Sequence, residues 1–210
     1  FFVSSSLHKA VATGDLRIID TISHLGRTLS LGEIDQINKA RYHDITEESY
    51  LDIIGSKTAS LFVACIKMGG YSVNASDEDI ERMCRFAQLF GLCFQIRDDI
   101  FDYFEDSRIG KPTGNDLREG KITLPLLHVL SIDTLPRHKE MNELVRKDEL
   151  SSEQIATLIA YAREFGGIDY AYDCMSRFRD EAVEIISHFP DTEIRRSFIS
   201  LFDFIIARHN

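Results

Sequence analysis

Excess positive charge is the first thing this sequence lacks. Its 210 residues carry 24 Lys and Arg against 34 Asp and Glu, a formal net charge of −10. Non-specific nucleic-acid binding needs a basic footprint, so that class is disfavoured. An anionic ligand would need cations concentrated locally to offset this background. The four cysteines, Cys65, Cys84, Cys93 and Cys174, show no CxxC spacing and no His–Cys cluster, which removes the common zinc patterns. They read as small apolar packing residues that stay reduced in a cytoplasmic protein. No apolar run is long enough to span a bilayer, and low-complexity tracts are missing too. No segment has a convincing run of strand alternation.

What is present is helix after helix. Hydrophobic content of 44% and charged content of 28% are ordinary for a globular protein, and the length allows a sizeable core. The opening "FFVSSSLHKA" is already helical in character, with no Met, cap or turn before it. The sequence is therefore expected to begin partway down a helix of a longer chain. Gly14–Asp15 breaks that helix, and a second is expected from about Leu16 to Tyr42, with Ile18, Ile22, Leu25 and Leu29 in 4-3-4 steps. A third starts at Asp44 or Thr46 and reaches Gly69–Gly70. Ser76 caps a fourth that runs to about Asp106, and "SRIGKPTGNDLREGKITLP" follows as a loop. Shorter helices come next, one opened by the capping-box pattern Ser151-x-x-Gln154, one kinked at Gly166–Gly167, and a last from about Asp191. The fold class is all-α, residues 1–210 forming one domain, a bundle of long antiparallel helices.

The fourth helix contains "FQIRDDIFDYFED". Projected at about 100° per residue, Cys84, Ala87, Gly91, Gln95, Asp98 and Asp102 share one narrow face. Phe86, Leu89, Phe90, Leu92, Ile96, Ile100 and Phe101 surround the rest, as expected of a buried central helix. The small residues upstream of the acids predict a slot beside the helix, apolar below and acidic at its mouth. Carboxylates at i and i+4 repel one another, and burial raises the cost. A divalent cation relieves both, and Asp98, Asp99 and Asp102 with all-oxygen ligation suit Mg²⁺. An acidic patch in solvent is the plainer reading of such a triplet; the apolar surroundings and Gln95 on the same face weigh against it.

On the third helix, Tyr50, Ile54, Lys57, Leu61, Ala64 and Met68 form one stripe. Lysine on an apolar face either snorkels to the rim or aims its charge at an anion. Lys111 and Lys121, each after a glycine, lie in the loop and could fold over a phosphate. Carboxylates and lysines together point to a metal-bridged polyphosphate.

These runs resemble the trans-isoprenyl diphosphate synthases, the polyprenyl synthetase family. "FQIRDDIFDYFED…IGKPTGNDLREGKITLPLL" is similar to its second aspartate-rich region, "YLDIIGSKTASLF" to its Lys-Thr segment, and "LGEIDQI" to its Gly-Glu-x-x-Gln stretch. Order and spacing agree through about Leu130, and beyond that only the helical pattern and Arg208 are suggestive. The overall likeness is to the bacterial long-chain, octaprenyl-type members. The resemblance implies the isoprenoid synthase fold, usually as a homodimer, and the condensation of isopentenyl diphosphate with an allylic diphosphate. It implies Mg²⁺ on Asp98, Asp99 and Asp102, and the allylic diphosphate on Lys57, Lys111 and Lys121. Thr58 and Gln95 would lie near the developing allylic cation.

The family's first aspartate-rich motif and its upstream basic residues have no counterpart in these 210 residues. The one other close acidic spacing, Asp169 and Asp173 in "DYAYD", reads as a solvated helix face. The sequence is thus expected to be the C-terminal two thirds of a synthase, holding half of the metal site and inactive alone. Alternatives are a short-chain farnesyl or geranylgeranyl diphosphate synthase, a terpene cyclase, or a non-catalytic subunit that binds a synthase through the Ile18–Leu29 stripe. A peripheral membrane contact for product release would fit any of the long-chain enzymes.

Overall fold

Ser76 opens the central helix by accepting a hydrogen bond from the Asp79 amide, and Asp77, Glu78 and Asp79 place negative charge in the first turn, where the helix dipole is positive. The computed structural model describes residues 2–42, 45–104, 113–147 and 149–207. Among these residues every regular element is helical and no strand occurs, as the periodicity predicts. In chain order the helices are α1 (Phe2–Ala12), α2 (Leu16–Tyr42), α3 (Glu47–Ile54), α4 (Ser60–Ser72), α5 (Asp77–Phe101), α6 (Asn115–Arg118), α7 (Leu124–Leu130), α8 (His138–Val145), α9 (Ser152–Glu164), α10 (Gly167–Ile186) and α11 (Glu193–Ile206).

Helix starts follow the local chemistry. Thr46 and Ser49 form a reciprocal capping box before α3, and Ser151 and Gln154 form the expected one before α9. Asp44, the other candidate cap, lies outside the described residues. The third helix is not the single rod expected. Between α3 and α4 the chain makes a π-helical turn, Gly55–Ala59. Gly166–Gly167 is a full break rather than a kink, with Gly166 at φ +84°. The fourth helix stops at Phe101, short of Asp106, which is outside the described residues. α6 lies within what reads as loop.

α5 runs through the centre, packed along α4 on one side and α10 on the other. Leu89, Cys93, Ile96 and Ile100 are buried there with Met175 and Ala182 of α10. Phe202 of α11 is fully buried and meets Phe86 and Phe90 edge to face, with both centroid separations 5.3 Å. Burying one such ring contributes roughly 1.5–3 kcal/mol, which is what holds α11 against α5. Arg97 is buried on this flank, donating to the Tyr172 hydroxyl and, at 3.0 Å, to the Ala207 carbonyl. Arg208 itself is outside the described residues. A second core of Leu126, Val129, Met141, Leu158 and Ala162 joins α7, α8 and α9, and takes in Tyr103 and Leu117.

Two expectations about faces change. The small-residue stripe of α5 does not leave an open slot at Gly91. A Cβ there would lie 2.4 Å from the Ala59 Cα and 3.0 Å from the Phe62 ring, so the missing side chain lets α5 and the π turn touch. The Ile18–Leu29 stripe is not a free docking face either: Ile18 is buried and Ile22, Leu25 and Leu29 are half-buried. The exposed apolar residues of α2 are instead Leu16, Leu31, Ile34 and Ile37.

Gly91→Ala is expected to lower the urea midpoint. The backbone contact gives an overpacking cost of about 1–3 kcal/mol, against roughly 1 kcal/mol that alanine gains in a helix interior. A midpoint at or above that of the parent would show that the α4–α5 seam opens freely.

Candidate active site

The π turn sets the first half of the site. Such a wide turn accommodates an extra residue and recurs at functional positions; here it carries Lys57 and Thr58. α2 approaches it closely, since a Cβ on Gly32 would lie 2.9 Å from the Ser56 Cβ and 3.0 Å from the Lys57 Cγ. The Lys57 ammonium forms an ion pair with Glu33 and donates to Gln36 Oε1 at 2.5 Å. Glu33 and Gln36 are the Glu and Gln of "LGEIDQI". Its role as a partner for Lys57 comes from helix packing, so no reading along the sequence exposes it.

Thr58 faces α5. Its hydroxyl donates to Gln95 Oε1 at 2.6 Å, Gln95 Nε2 donates to Asp99 Oδ1 at 2.8 Å, and the Tyr50 hydroxyl donates to Asp99 Oδ2 at 2.6 Å. Asp99 is only 6% exposed. Burial pushes its carboxyl up to about 7; the Tyr50 and Gln95 bonds act against that, and the charges of Asp116 and Asp98 add to it. Burial beside this carboxylate also puts the Tyr50 phenol well above its ordinary value. Tyr50 belongs to the network, yet the sequence reading treats it as a stripe residue alone.

The three aspartates of the motif occupy three environments. Successive helical residues point about 100° apart, so Asp98 is exposed while Asp99 is buried. Asp102 caps α5 and turns to the next segment, with Oδ1 accepting from the Asn115 amide and Oδ2 from the Asp116 amide, both at 3.0 Å. That grip fixes α6, and Lys121 N then donates to the Asp116 carbonyl at 2.8 Å. Tyr103, buried in the second core, bonds the Thr123 hydroxyl at 3.0 Å and anchors the far end of the loop.

One cavity of about 200 Å³ gathers most of these groups. Lys57, Thr58, Gln95, Asp98, Asp99 and Lys121 line it, as sequence reasoning expects, and so do Lys39 and Asp116, which it missed. Asp102 supports the wall without lining it. Lys111 lies outside the described residues. Asp169 and Asp173 are exposed on α10 and take no part. Burial first, then the charge of Asp102, pushes the Asp116 carboxyl up to about 6. The signal for Asp116 was its place in the first turn after the glycine-rich loop, inside a run already singled out.

Among the described residues, no three His, Cys, Asp or Glu side chains are gathered closely enough to hold a metal ion alone. The cavity carboxylates still fit a hard cation. Asp98, Asp99 and Asp116 supply only oxygen, and burial raises the carboxyls of Asp99 and Asp116, a cost that a bound cation would relieve.

Residues 1–162 match the polyprenyl synthetase family, and the chain belongs to that family. The octaprenyl diphosphate synthase of Escherichia coli (strain K12) is 28% identical over 209 residues, 99% of this chain and 64% of that protein. The chain thus spans less than two thirds of that relative. The crystal structure of geranylgeranyl pyrophosphate synthase from Bacteroides thetaiotaomicron superposes with a TM-score of 0.90 at 35% identity, covering 98% of this chain and 68% of that one. Polyprenyl synthase from Caulobacter crescentus CB15, solved with calcium and isoprenyl diphosphate, superposes with a TM-score of 0.86 at 28% identity, covering 94% and 61%. The fold is the isoprenoid synthase fold.

Asp99 gives a pH prediction. Its folded carboxyl keeps a proton up to about 7, whereas an unfolded aspartate loses it near about 3.9. Between those values the folded state binds more protons, so metal-free stability falls as pH rises through that window. Asp99→Asn removes the effect. Its advantage over the parent in urea unfolding should grow by about 2–3 kcal/mol between roughly pH 5 and pH 8; an advantage independent of pH would contradict it.

Proposed function

We propose that this protein is a prenyltransferase that condenses isopentenyl diphosphate with an allylic diphosphate to give a trans-polyprenyl diphosphate. The observation that carries this reading is the meeting of Lys57 and Lys121 with Asp98, Asp99 and Asp116 around one cavity, beside the Thr58–Gln95 pair. Lys57 and Lys121, together with Lys111, hold the allylic diphosphate. Asp98 and Asp99, with Asp116 beside them, are the carboxylates that would hold Mg²⁺ from the cavity; Asp102, expected among them, instead supports the wall through the Asn115 and Asp116 amides. Magnesium is typically held by one or two carboxylates plus substrate phosphates rather than by an all-protein cage, so a spread-out donor set is suited to it. When bound, the ion would supply Lewis-acid neutralisation of the departing diphosphate.

The residues present account for the rest. Breaking the allylic carbon–oxygen bond leaves a carbocation and a diphosphate, and fixed ammonium groups stabilise the latter as its charge develops. Thr58 and Gln95 line the same cavity, and their oxygens would stabilise the cation as it forms. Ile45, Ile53, Ile54 and Ile122 line the same cavity and exclude the water that would otherwise quench it. The isopentenyl double bond then forms the new carbon–carbon bond, and the proton lost afterwards passes to the released diphosphate.

The relatives' printed products differ in length, octaprenyl against geranylgeranyl, so product length is read from the assay. The 210 residues are taken as part of one isoprenoid synthase domain. Exposed Leu7 and Val11 on α1 and Leu31 and Ile34 on α2 support a protein partner, and a second copy of the chain is the partner proposed. Among the described residues no helix is long and apolar enough to cross a membrane, in keeping with a cytoplasmic enzyme. Exposed Leu201 and Phe204 on α11 suit a peripheral contact with lipid during product release.

The test is the intact protein with allylic and isopentenyl diphosphates. Magnesium-dependent chain extension is expected; a cyclic hydrocarbon would indicate a cyclase, and turnover only with a second subunit a heteromeric synthase. Asp98→Ala should lower kcat on the order of 100-fold without changing the thermal midpoint, and full turnover would refute its metal role. Lys57→Ala should weaken allylic diphosphate binding by about tenfold or more; unchanged affinity would remove Lys57 from the site.

A further inference from the structure

Two of the three lysines that line the cavity, Lys57 and Lys121, already hold an anion; the third is Lys39. The Lys57 ammonium pairs with Glu33, and the Lys121 ammonium meets Glu119 at 2.5 Å. Neither glutamate lines the cavity itself. Both stand further out than the lysines they hold: side-chain exposure is 28% for Lys57 against 53% for Glu33, and 30% for Lys121 against 61% for Glu119. The pattern comes from separate parts of the chain, since Glu33 is on α2 and Glu119 follows α6.

We propose that Glu33 and Glu119 are built-in counter-anions that occupy Lys57 and Lys121 until a diphosphate displaces them. This rests on the reading of the cavity as a diphosphate site. A partly buried ammonium left without a partner is costly, and two of them facing one cavity repel each other. The glutamates offset both effects in the ligand-free protein. Because they reach in from the rim, each can swing outward into water at little cost once a diphosphate arrives. Gln36 makes that exchange orderly. Its Oε1 accepts from Lys57 at 2.5 Å and is neutral, so Lys57 keeps one hydrogen bond, and its aim, after Glu33 leaves. Glu33 is held below the usual carboxylate range chiefly by its bond to Lys57, with the Lys121 charge adding to it, so the carboxylate feels both cations.

A partly exposed ion pair is worth up to about 1 kcal/mol, which is about fivefold in a dissociation constant. Displacing each glutamate should therefore weaken diphosphate binding by up to that factor. The consequence runs against the usual expectation for active-site charges, because removing a charged residue of this site should tighten ligand binding.

The experiment is calorimetric titration of the intact protein with inorganic pyrophosphate in magnesium buffer, each variant first shown to be folded by its thermal melt. Glu33→Gln and Glu119→Gln should each tighten pyrophosphate binding about three- to fivefold. In a Lys57→Met background, Glu33→Gln should have no effect. Asp35→Asn, which removes the same charge from an exposed position of α2, should leave the affinity unchanged. Tightening by Asp35→Asn equal to that of Glu33→Gln would overturn the proposal in favour of a general field, as would a Glu33 effect that survives in Lys57→Met. Unchanged or weaker binding by both glutamine variants, with Lys57→Met still weakening pyrophosphate, would overturn it and leave the diphosphate site standing. Lys57→Met with unaltered affinity would remove the diphosphate site itself, and this inference with it.

Discussion

A carboxylate shut away from water has to find partners inside the protein, and Asp99 draws them from two directions. Tyr50 reaches it from α3, and Gln95, itself fixed by Thr58, reaches it from a turn earlier on α5. The network closes only if α3, the π turn and α5 sit in one arrangement, so a single buried charge specifies how three segments meet. Hydrogen bonds to a buried carboxylate are strong, yet they do not restore all that hydration provided. The raised value of Asp99 records what is left over. The same carboxylate thus organises the ligand-free bundle and keeps a desolvation cost that its hydrogen bonds do not fully offset.

Close approach is the second constraint. Gly32 and Gly91 flank the π turn from α2 and α5, and each lacks the Cβ that would hold its helix away. Lys57 and Thr58 are consequently presented to different helices from adjacent residues, one to Glu33 and Gln36 of α2, the other to Gln95 of α5. The C-terminal helices act on the site at one remove. Their core buries Tyr103 and Leu117, which hold the segment bearing Asp116 and Lys121. Asp102 completes that support through the amides of Asn115 and Asp116, so one aspartate of the motif shapes the wall while its neighbours face the cavity.

Elements set by local chemistry were legible along the chain. The Ser76 cap, the Ser151–Gln154 capping box and the limits of α2 all depend on a few adjacent residues, and all are where the sequence puts them. The residue types of the candidate site were legible as well, because lysines and clustered aspartates in an apolar helix carry a cost that partners must offset. The projection at constant angle failed at two places. It missed the π turn, which adds a residue per turn and displaces everything beyond it, leaving Leu61 exposed although it shares a stripe with buried Tyr50 and Ile54. It also read Gly91 as space, when the backbone of another helix fills that space.

Period, caps and charge pattern by themselves determined an all-helical chain and where most of its helices start. Those properties follow from interactions within a turn or two, which the sequence order states directly. Which aspartate is buried, that Asp116 and Lys39 join the cavity, and that Glu33 reaches Lys57 were decided by the tertiary structure alone. They depend on the rotation and separation of helices distant in sequence, and these are set by where side chains are absent as much as by where they are present.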